Sequence, residues 1–200
     1  MNEFTKVVEQ GYNQIAEDYY AHRDLGKFNT ELEKYSNYLL KNAHVLDVGC
    51  GAGIPTAEFL VKRGFNVTGI DISEKMLNLA RKNVPKANFI KMDMNELKFE
   101  KDSFEGIVSV YALFHVSKKK HFSIFKNFYE ILKPGGILLI NTGISESEGI
   151  SYFFGVPMFW SNFKPKDTVG LVKKAGFSIL FEGILKRGGE YQYWIYGKKN

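Results

Sequence analysis

The sequence predicts an α/β fold: a doubly wound, mostly parallel seven-stranded sheet with helices on both faces and an antiparallel C-terminal hairpin. Three observations carry that expectation. Between Val45 and Asn141, short apolar runs of strand-forming residues alternate with segments whose apolar residues recur every three or four positions. The first run ends in a glycine-rich turn, VLDVGCGAG, Val45 to Gly53. The last two runs, FSILFEGILKR and YQYWIYGK, are joined by Gly188 and Gly189, which is hairpin chemistry.

Taken in order, FNTELEKYSNYLLKN places Phe28, Leu32, Tyr35 and Leu39 on one helical face. HVLDVG is the first strand. IPTAEFLVKRG follows as a helix with Ala57, Leu60 and Val61 inward and Gly64 as its stop. FNVTGID is the second strand, and Ser73 caps the helix EKMLNLARKN, whose Met76, Leu77 and Ala80 repeat at helical spacing. ANFIKMD and FEGIVSVY read as the third and fourth strands. Phe122, Phe125, Phe128, Tyr129 and Leu132 form the apolar face of a helix closed by Pro134, Gly135 and Gly136 before the strand ILLIN. PKDTVGLVKKAGF is a last helix, with Asp167 as its expected N-cap and Gly176 as its stop.

Composition narrows the class. At 200 residues, 44% hydrophobic and 24% charged, the chain has the makings of one ordinary globular domain. The opening MNEFTKVVEQ carries Glu3, Lys6 and Glu9, unlike a signal peptide, and no run reaches the roughly 18 apolar residues of a membrane span. A cytoplasmic chain with no membrane partner is expected. The single cysteine, Cys50, excludes an intrachain disulfide and a cysteine-built zinc site. Net charge is +5, but the densest basic run, SKKKH at Ser117 to His121, has no arginine and opens a helix. It is expected to be a solvated helix face with His121 at the surface, rather than a nucleic-acid contact.

In an open parallel sheet the ligand crevice lies beyond the carboxyl ends of the strands, and the first strand-to-helix turn approaches the ligand most closely. Glycines there let backbone amides come close and permit tight-turn φ values. Asp71 ends the second strand, 20 residues after Gly51, where a carboxylate can accept from both hydroxyls of a ribose. A nucleoside-containing cofactor is implied. The dinucleotide fingerprint needs a third glycine three residues after the second, and here position 54 is Ile54, with Gly53 before it. That spacing disfavours a pyrophosphate and leaves an NAD-linked oxidoreductase as the weaker reading.

These residues resemble the class I S-adenosylmethionine-dependent methyltransferases, small-molecule type, with a Rossmann-like core. Asp47, Gly49, Gly51 and Gly53 match the family's first motif, GIDIS its second-strand acidic motif, and KMDMNEL its third-strand end. FEGIVSVYALFHV is similar to the fourth-strand motif and LKPGGILLI to the turn and fifth strand. The resemblance implies S-adenosylmethionine as cofactor. It places Asp71 on the ribose, Asp93 on the adenine amino group with Met92 and Met94 near the ring, and Asp47 with the Gly49–Cys50–Gly51 backbone on the amino-carboxylate. Ile72, Met76 and Tyr111 complete that cofactor set. YNQIAEDYY is similar to a segment that folds over the cofactor, so Tyr12, Tyr19 and Tyr20 are lid residues or simply pack. Asp47 and Asp93 also have local readings, as a cap on nearby amides and as an N-cap.

The implied organisation is one domain over 1–200: an N-terminal helical lid at 1–42, a cofactor-binding core at 43–143, a substrate-side insertion at 144–166, and a helix with hairpin at 167–200. The acceptor is expected at the end of the fourth strand, near Tyr111, Phe114 and His115, with Tyr111 and His115 as the candidate catalytic residues. The aromatic insertion SESEGISYFFGVPMFWSNF roofs it, contributing Phe154, Met158 and Trp160, or else covers the sheet or a dimer contact. His115 is either a general base for a hydroxyl or thiol or a structural imidazole bonded to backbone.

Departures exclude several chemistries. Ser109, Val110, Tyr111 and Ala112 stand where enzymes acting on DNA base amino groups carry Asn or Asp, two prolines and an aromatic. Cytosine C5 chemistry needs a nucleophilic cysteine, and the one here lies in the glycine turn. Catechol-type enzymes place an acidic metal ligand where this chain has Tyr111, so no metal and no DNA partner are expected. The function read is methyl transfer to a small-molecule acceptor by in-line displacement. A non-catalytic S-adenosylmethionine-binding module or partner subunit, and an RNA methyltransferase, stay open beside it. Oligomeric state is not legible.

Overall fold

A computed structural model describes residues 2–22 and 28–200. Met1 and residues 23–27 of the expected N-terminal lid lie outside the described residues. The helices are α1 (Glu3–His22), α2 (Asn29–Ser36), α3 (Thr56–Lys62), α4 (Glu74–Asn83), α5 (Lys118–Ile131) and α6 (Pro165–Lys174). The strands are β1 (His44–Val48), β2 (Asn66–Asp71), β3 (Asn88–Lys91), β4 (Phe104–Ser109), β5 (Leu132–Thr142), β6 (Ser147–Phe153), β7 (Val156–Asn162), β8 (Ser178–Arg187) and β9 (Glu190–Lys198).

The main sheet runs β3-β2-β1-β4-β5-β9-β8, and β6 pairs only with β7. β1 to β5 are mutually parallel; β9 is antiparallel to β5 and to β8. Chain order moves outward from β1 to β3 on one side and from β4 to β5 on the other, with β9 lying between β5 and β8. The switch point, where an open parallel sheet forms its ligand crevice, therefore lies between β1 and β4.

Both faces are covered, so β1 reads as an almost continuous apolar run, yet its residues still divide by the two-residue period. Leu46 and Val48 face one core with Phe125 and Phe128 of α5 and Val172 of α6. Val45 faces the other, with Leu32 and Tyr35 of α2, Leu60 of α3 and Leu77 of α4. Asp47, two residues after Val45, shares this second face and is only 2% exposed. α2 is tied to the hairpin by buried Glu31, which accepts from Arg187 Nε at 2.7 Å and Nη2 at 2.5 Å.

The local structure corrects four expectations. β4 ends at Ser109, short of Tyr111, because Tyr111 takes a left-handed φ of 58°. The helix α5 ends at Ile131, ahead of Pro134, because Leu132 is extended and already pairs with Phe104; the Pro-Gly-Gly sequence lies inside β5. Pro165 opens α6 with Lys164 at the N-cap, and Asp167 sits within the first turn. His121 is buried at 1% exposure, its Nε2 2.9 Å from the Val116 carbonyl. It falls on the inward side of α5, between Lys118 and Phe125, and the adjacent lysines say nothing about that.

The insertion at 144–166 is largely the β6–β7 hairpin. Met158 and Phe159 of β7 pack against Val8 and Ile15 of α1, so the N-terminal helix and the insertion share one small core. A Cβ on Gly11 would lie 2.7 Å from Met158 Cε, so the glycine lets α1 press against β7. No helix among the described residues is long and apolar enough to cross a membrane.

Two imidazoles, His115 and His121, are buried, and burial lowers both pKa values, that of His115 to about 4. A lowered pKa means that the unfolded chain binds the proton more readily, so the stabilisation is full above pH 6.5 and drains away as pH falls toward 4. From His115 alone, about 2.5 kcal/mol should be lost between about pH 7.5 and about pH 4.5. Urea unfolding at the two pH values should show at least this loss, and His115→Gln with His121→Gln should remove most of the slope over that window.

Candidate functional site

The carboxyl ends of β1, β2 and β4 open into a cleft of about 870 Å³ including its mouth. Its floor is the glycine turn after β1. Gly49, Gly51 and Gly53 have φ of 74°, 53° and 78°, and the amides of Gly49 and Cys50 donate to Ile70 O at 2.8 and 2.9 Å. A Cβ on Gly49 would stand 2.3 Å from Ala112 Cβ, so close approach and left-handed backbone both require glycine there. The turn is thus held against β2 on one side and against the segment after β4 on the other.

Asp71, at the end of β2, accepts from Gly51 N at 2.9 Å through Oδ2 and from Ser73 N at 2.8 Å through Oδ1. Burial pushes its carboxyl upward, and the backbone amides oppose that shift. Each carboxylate oxygen has a second lone pair, and Asp71 lines the cleft, so hydroxyl donors can still be accepted. Ser73 caps α4, its Oγ accepting from Met76 N at 3.2 Å.

Asp93 caps the short 3-10 turn Met94–Glu96, its Oδ1 accepting from Asn95 N at 2.9 Å and Asn95 Nδ2 at 2.8 Å. The local capping geometry is therefore present, and Asp93 lines the cleft as well. Because an ionised carboxylate only accepts, the NH2 side of the Asn95 amide faces it and Oδ1 faces away. Asn95 Oδ1 is buried with no hydrogen-bond partner among the described residues, and Asn95 also lines the cleft. Sequence reasoning misses this residue: its orientation depends on Asp93, and the turn MNEL carries no sign of it. Ile72, Met76, Met92 and Met94 supply apolar wall beside this pair of acceptors.

Tyr111 and His115 line the opposite end. The left-handed backbone of Tyr111 is pinned by its amide donating to Asn141 Oδ1 at 2.7 Å, and its ring lies 5.7 Å from Phe28, another wall residue. His115 Nδ1 is 2.8 Å from the carbonyl of Phe159 and Nε2 is 2.8 Å from Tyr12 Oη. Asp47, Gly49, Cys50, Gly51, Tyr12 and Tyr19 line the same cleft.

The remaining acceptor-side residues named from sequence do not line it. Phe114 and Trp160 stand behind His115, with Trp160 4.6 Å from the imidazole and 5.4 Å from Phe114 between ring centroids. Met158 is fully buried under α1, and Phe154 is 45% exposed with its ring 5.8 Å from Tyr19. Tyr20 points away, donating to Asn83 Oδ1 at 3.3 Å.

α1 forms the roof. Thr5, Val8, Tyr12 and Tyr19 face the cleft, and Asn13 Oδ1 accepts from Ser73 Oγ at 2.8 Å and Lys75 N at 3.2 Å, docking the helix on the start of α4. Glu9 pairs with Lys91 at 2.6 Å on the rim.

Comparison with known proteins agrees with this architecture. A family described as "Methyltransferase domain" matches residues 45–136, the span from β1 through the start of β5. YqeM of Bacillus subtilis (strain 168), a protein named as a methyltransferase, is 27% identical over 192 residues, covering 86% of this chain and 74% of its own. The ubiquinone biosynthesis O-methyltransferase of Coxiella burnetii is 32% identical over 133 residues, 64% of this chain; the match spans just over half of that enzyme, 56%. A solved S-adenosylmethionine-dependent methyltransferase from Methanosarcina mazei superposes with a TM-score of 0.74 at 25% identity, covering 82% of this chain and 95% of its own. With the glycine turn, the acidic ends of β2 and β3 and the β9–β8 hairpin all in place, the chain has the architecture of the class I S-adenosylmethionine-dependent methyltransferases, and its residues 45–136 match their methyltransferase domain.

Proposed function

We propose that the protein transfers the methyl group of S-adenosylmethionine to a small-molecule acceptor by in-line displacement, in the cytoplasm. The observation that carries this is one cleft at the sheet's switch point, lined by Asp47, the glycine turn, Asp71, Asp93 and Asn95 and roofed by α1. Its groups fit the cofactor chemically. The oxygen Asn95 Oδ1 and the carboxylate of Asp93 offer acceptors to the two N–H donors of an adenine amino group, with Met92, Met94 and Ile72 for the ring faces. Asp71 suits a ribose diol, and Asp47 suits an ammonium group, to which it would add charge attraction to hydrogen bonding. S-adenosylmethionine, when bound, brings an activated methyl on a cationic sulfur; the protein contributes alignment and exclusion of water.

A small acceptor is supported by the closed roof of α1 and by the aromatic end wall of Tyr111, Phe28 and His115, which suits a planar apolar body with one reactive group. The Coxiella relative's name, an O-methyltransferase of ubiquinone biosynthesis, points the same way.

Calorimetric titration of S-adenosylmethionine and of NAD tests the assignment. S-adenosylmethionine should bind at micromolar concentration and NAD should not. Asp71→Ala, which removes charge-assisted bonds of about 1.5–3 kcal/mol, should weaken binding roughly 10- to 100-fold. Asn95→Ala, which removes one neutral acceptor, should weaken it about 2- to 10-fold, with both variants checked for folding by thermal melting. NAD binding, or binding of neither ligand, sinks the proposal.

A further inference from the structure

Of all the polar contacts at the acceptor end, the one between Tyr12 and His115 has a fixed direction. A carbonyl oxygen only accepts, so the Phe159 carbonyl, 2.8 Å from His115 Nδ1, requires the hydrogen of the ring on Nδ1. The neutral imidazole then has a lone pair on Nε2, and Tyr12 Oη, 2.8 Å away, must donate to it. Burial, which lowers the His115 pKa to about 4, keeps the ring neutral near pH 7 and so maintains this polarity. Both ring nitrogens of His115 are thus engaged, and Tyr12 lines the cleft beside it.

Sequence and packing place the pair. Gly11 brings α1 against Met158 of β7, and the next residue, Tyr12, meets the imidazole edge-on with ring centroids 5.2 Å apart. Phe159, whose carbonyl fixes the ring, follows Met158. The helix, the hairpin and the segment after β4 therefore converge on one hydroxyl.

We propose that Tyr12 is the catalytic residue at the acceptor end: with its own hydrogen committed to His115, its oxygen takes the hydrogen of a protic nucleophile, an O–H or N–H on a small aromatic acceptor. His115 is the positioning residue behind it. This rests on the methyl-transfer assignment above and selects, within it, heteroatom acceptors over carbon. The acceptor's lone pair forms the new X–C bond while the C–S bond breaks and leaves its electron pair on sulfur. The X–H hydrogen, acidified by that new bond, passes to Tyr12 Oη as the tyrosine's own proton moves to His115 Nε2. One positive charge leaves sulfur and one arrives on the imidazole, so the buried site holds the same net charge before and after. The weakly basic imidazole then releases its extra proton to solvent.

The test needs no turnover. Protein labelled with 15N in histidine and saturated with S-adenosylhomocysteine is titrated with phenol, aniline and, as the aprotic control, anisole. His115 should show the Nδ1–H tautomer, phenol and aniline should bind at least tenfold more tightly than anisole, and their binding should shift the His115 Nε2 resonance. Tyr12→Phe should abolish both the preference and the shift, each measured with the variant saturated with S-adenosylhomocysteine. His115→Leu, which releases the tyrosine hydrogen, should bring the preference below about twofold, and His115→Gln, which can donate to Phe159 and accept from Tyr12, should restore part of it. Anisole binding as well as phenol, no binding of either protic probe, the opposite tautomer, or a preference that survives Tyr12→Phe overturns the proposal. Failure of S-adenosylhomocysteine to bind at all would instead remove the methyl-transfer assignment on which it rests.

Discussion

The carboxylate of Asp71 is the contact on which the cleft depends. Its two oxygens hold the amides of Gly51 and Ser73, which belong to the turn after β1 and to the N-cap of α4. β2 is thereby joined to the elements on both sides of it, and the left-handed glycines of the turn are fixed in place. Burial raises the proton affinity of the same carboxylate, and its amide partners oppose that rise. Under the proposed ribose contact, structure and ligand recognition would converge on this one side chain, and an Asp71 substitution would be felt in both.

The roof is held differently. α1 is docked by Asn13 on the start of α4, by the exposed Glu9–Lys91 pair, by Tyr12 on His115 and by a small apolar core with β7. An exposed ion pair contributes at most about 1 kcal/mol, and a single neutral hydrogen bond about as much. Such a helix belongs to the part of a structure that opens most readily, whereas the glycine turn is locked into the sheet. One half of the cleft is thus built on strand ends joined through the sheet, and its roof on a helix docked by side chains alone.

The sheet, its switch point and the gathering of the glycine turn, Asp71 and Asp93 in one cleft are legible in the sequence because each rests on local chemistry. Apolar runs of period two, the glycines at 49, 51 and 53, and acidic residues at strand ends all act within a few positions of themselves. What was not legible depends on contacts distant in the chain. The inward placement of His121 is decided by Val116 and Ser161 around it, not by the lysines beside it. Asn95 gains its meaning only from the amide orientation imposed by Asp93. Phe114 after the fourth strand, and Met158 and Trp160 in the aromatic insertion, read as acceptor-side residues by their type, but Met158 is buried under α1 and Phe114 and Trp160 stand behind His115, off the cleft lining, which periodicity alone does not reveal.

Local rules fail most often at one end of this cleft. Tyr111 holds a left-handed φ of 58° that glycine would adopt without strain, and it stays there because Asn141 Oδ1 takes its amide. Asn141 Nδ2 and the indole Nε1 atoms of Trp160 and Trp194 are buried with no hydrogen-bond partner among the described residues. Each such donor costs about 1–3 kcal/mol, and sequences rarely retain several together. At the cofactor end, by contrast, the turn amides of Gly49, Cys50 and Gly51 are all satisfied within the chain. Backbone strain and unmet donors therefore collect around Tyr111 and His115, whereas Asn95 Oδ1, at the other end of the cleft, is an unmet acceptor, and the consistency of the remaining fold is what sustains them.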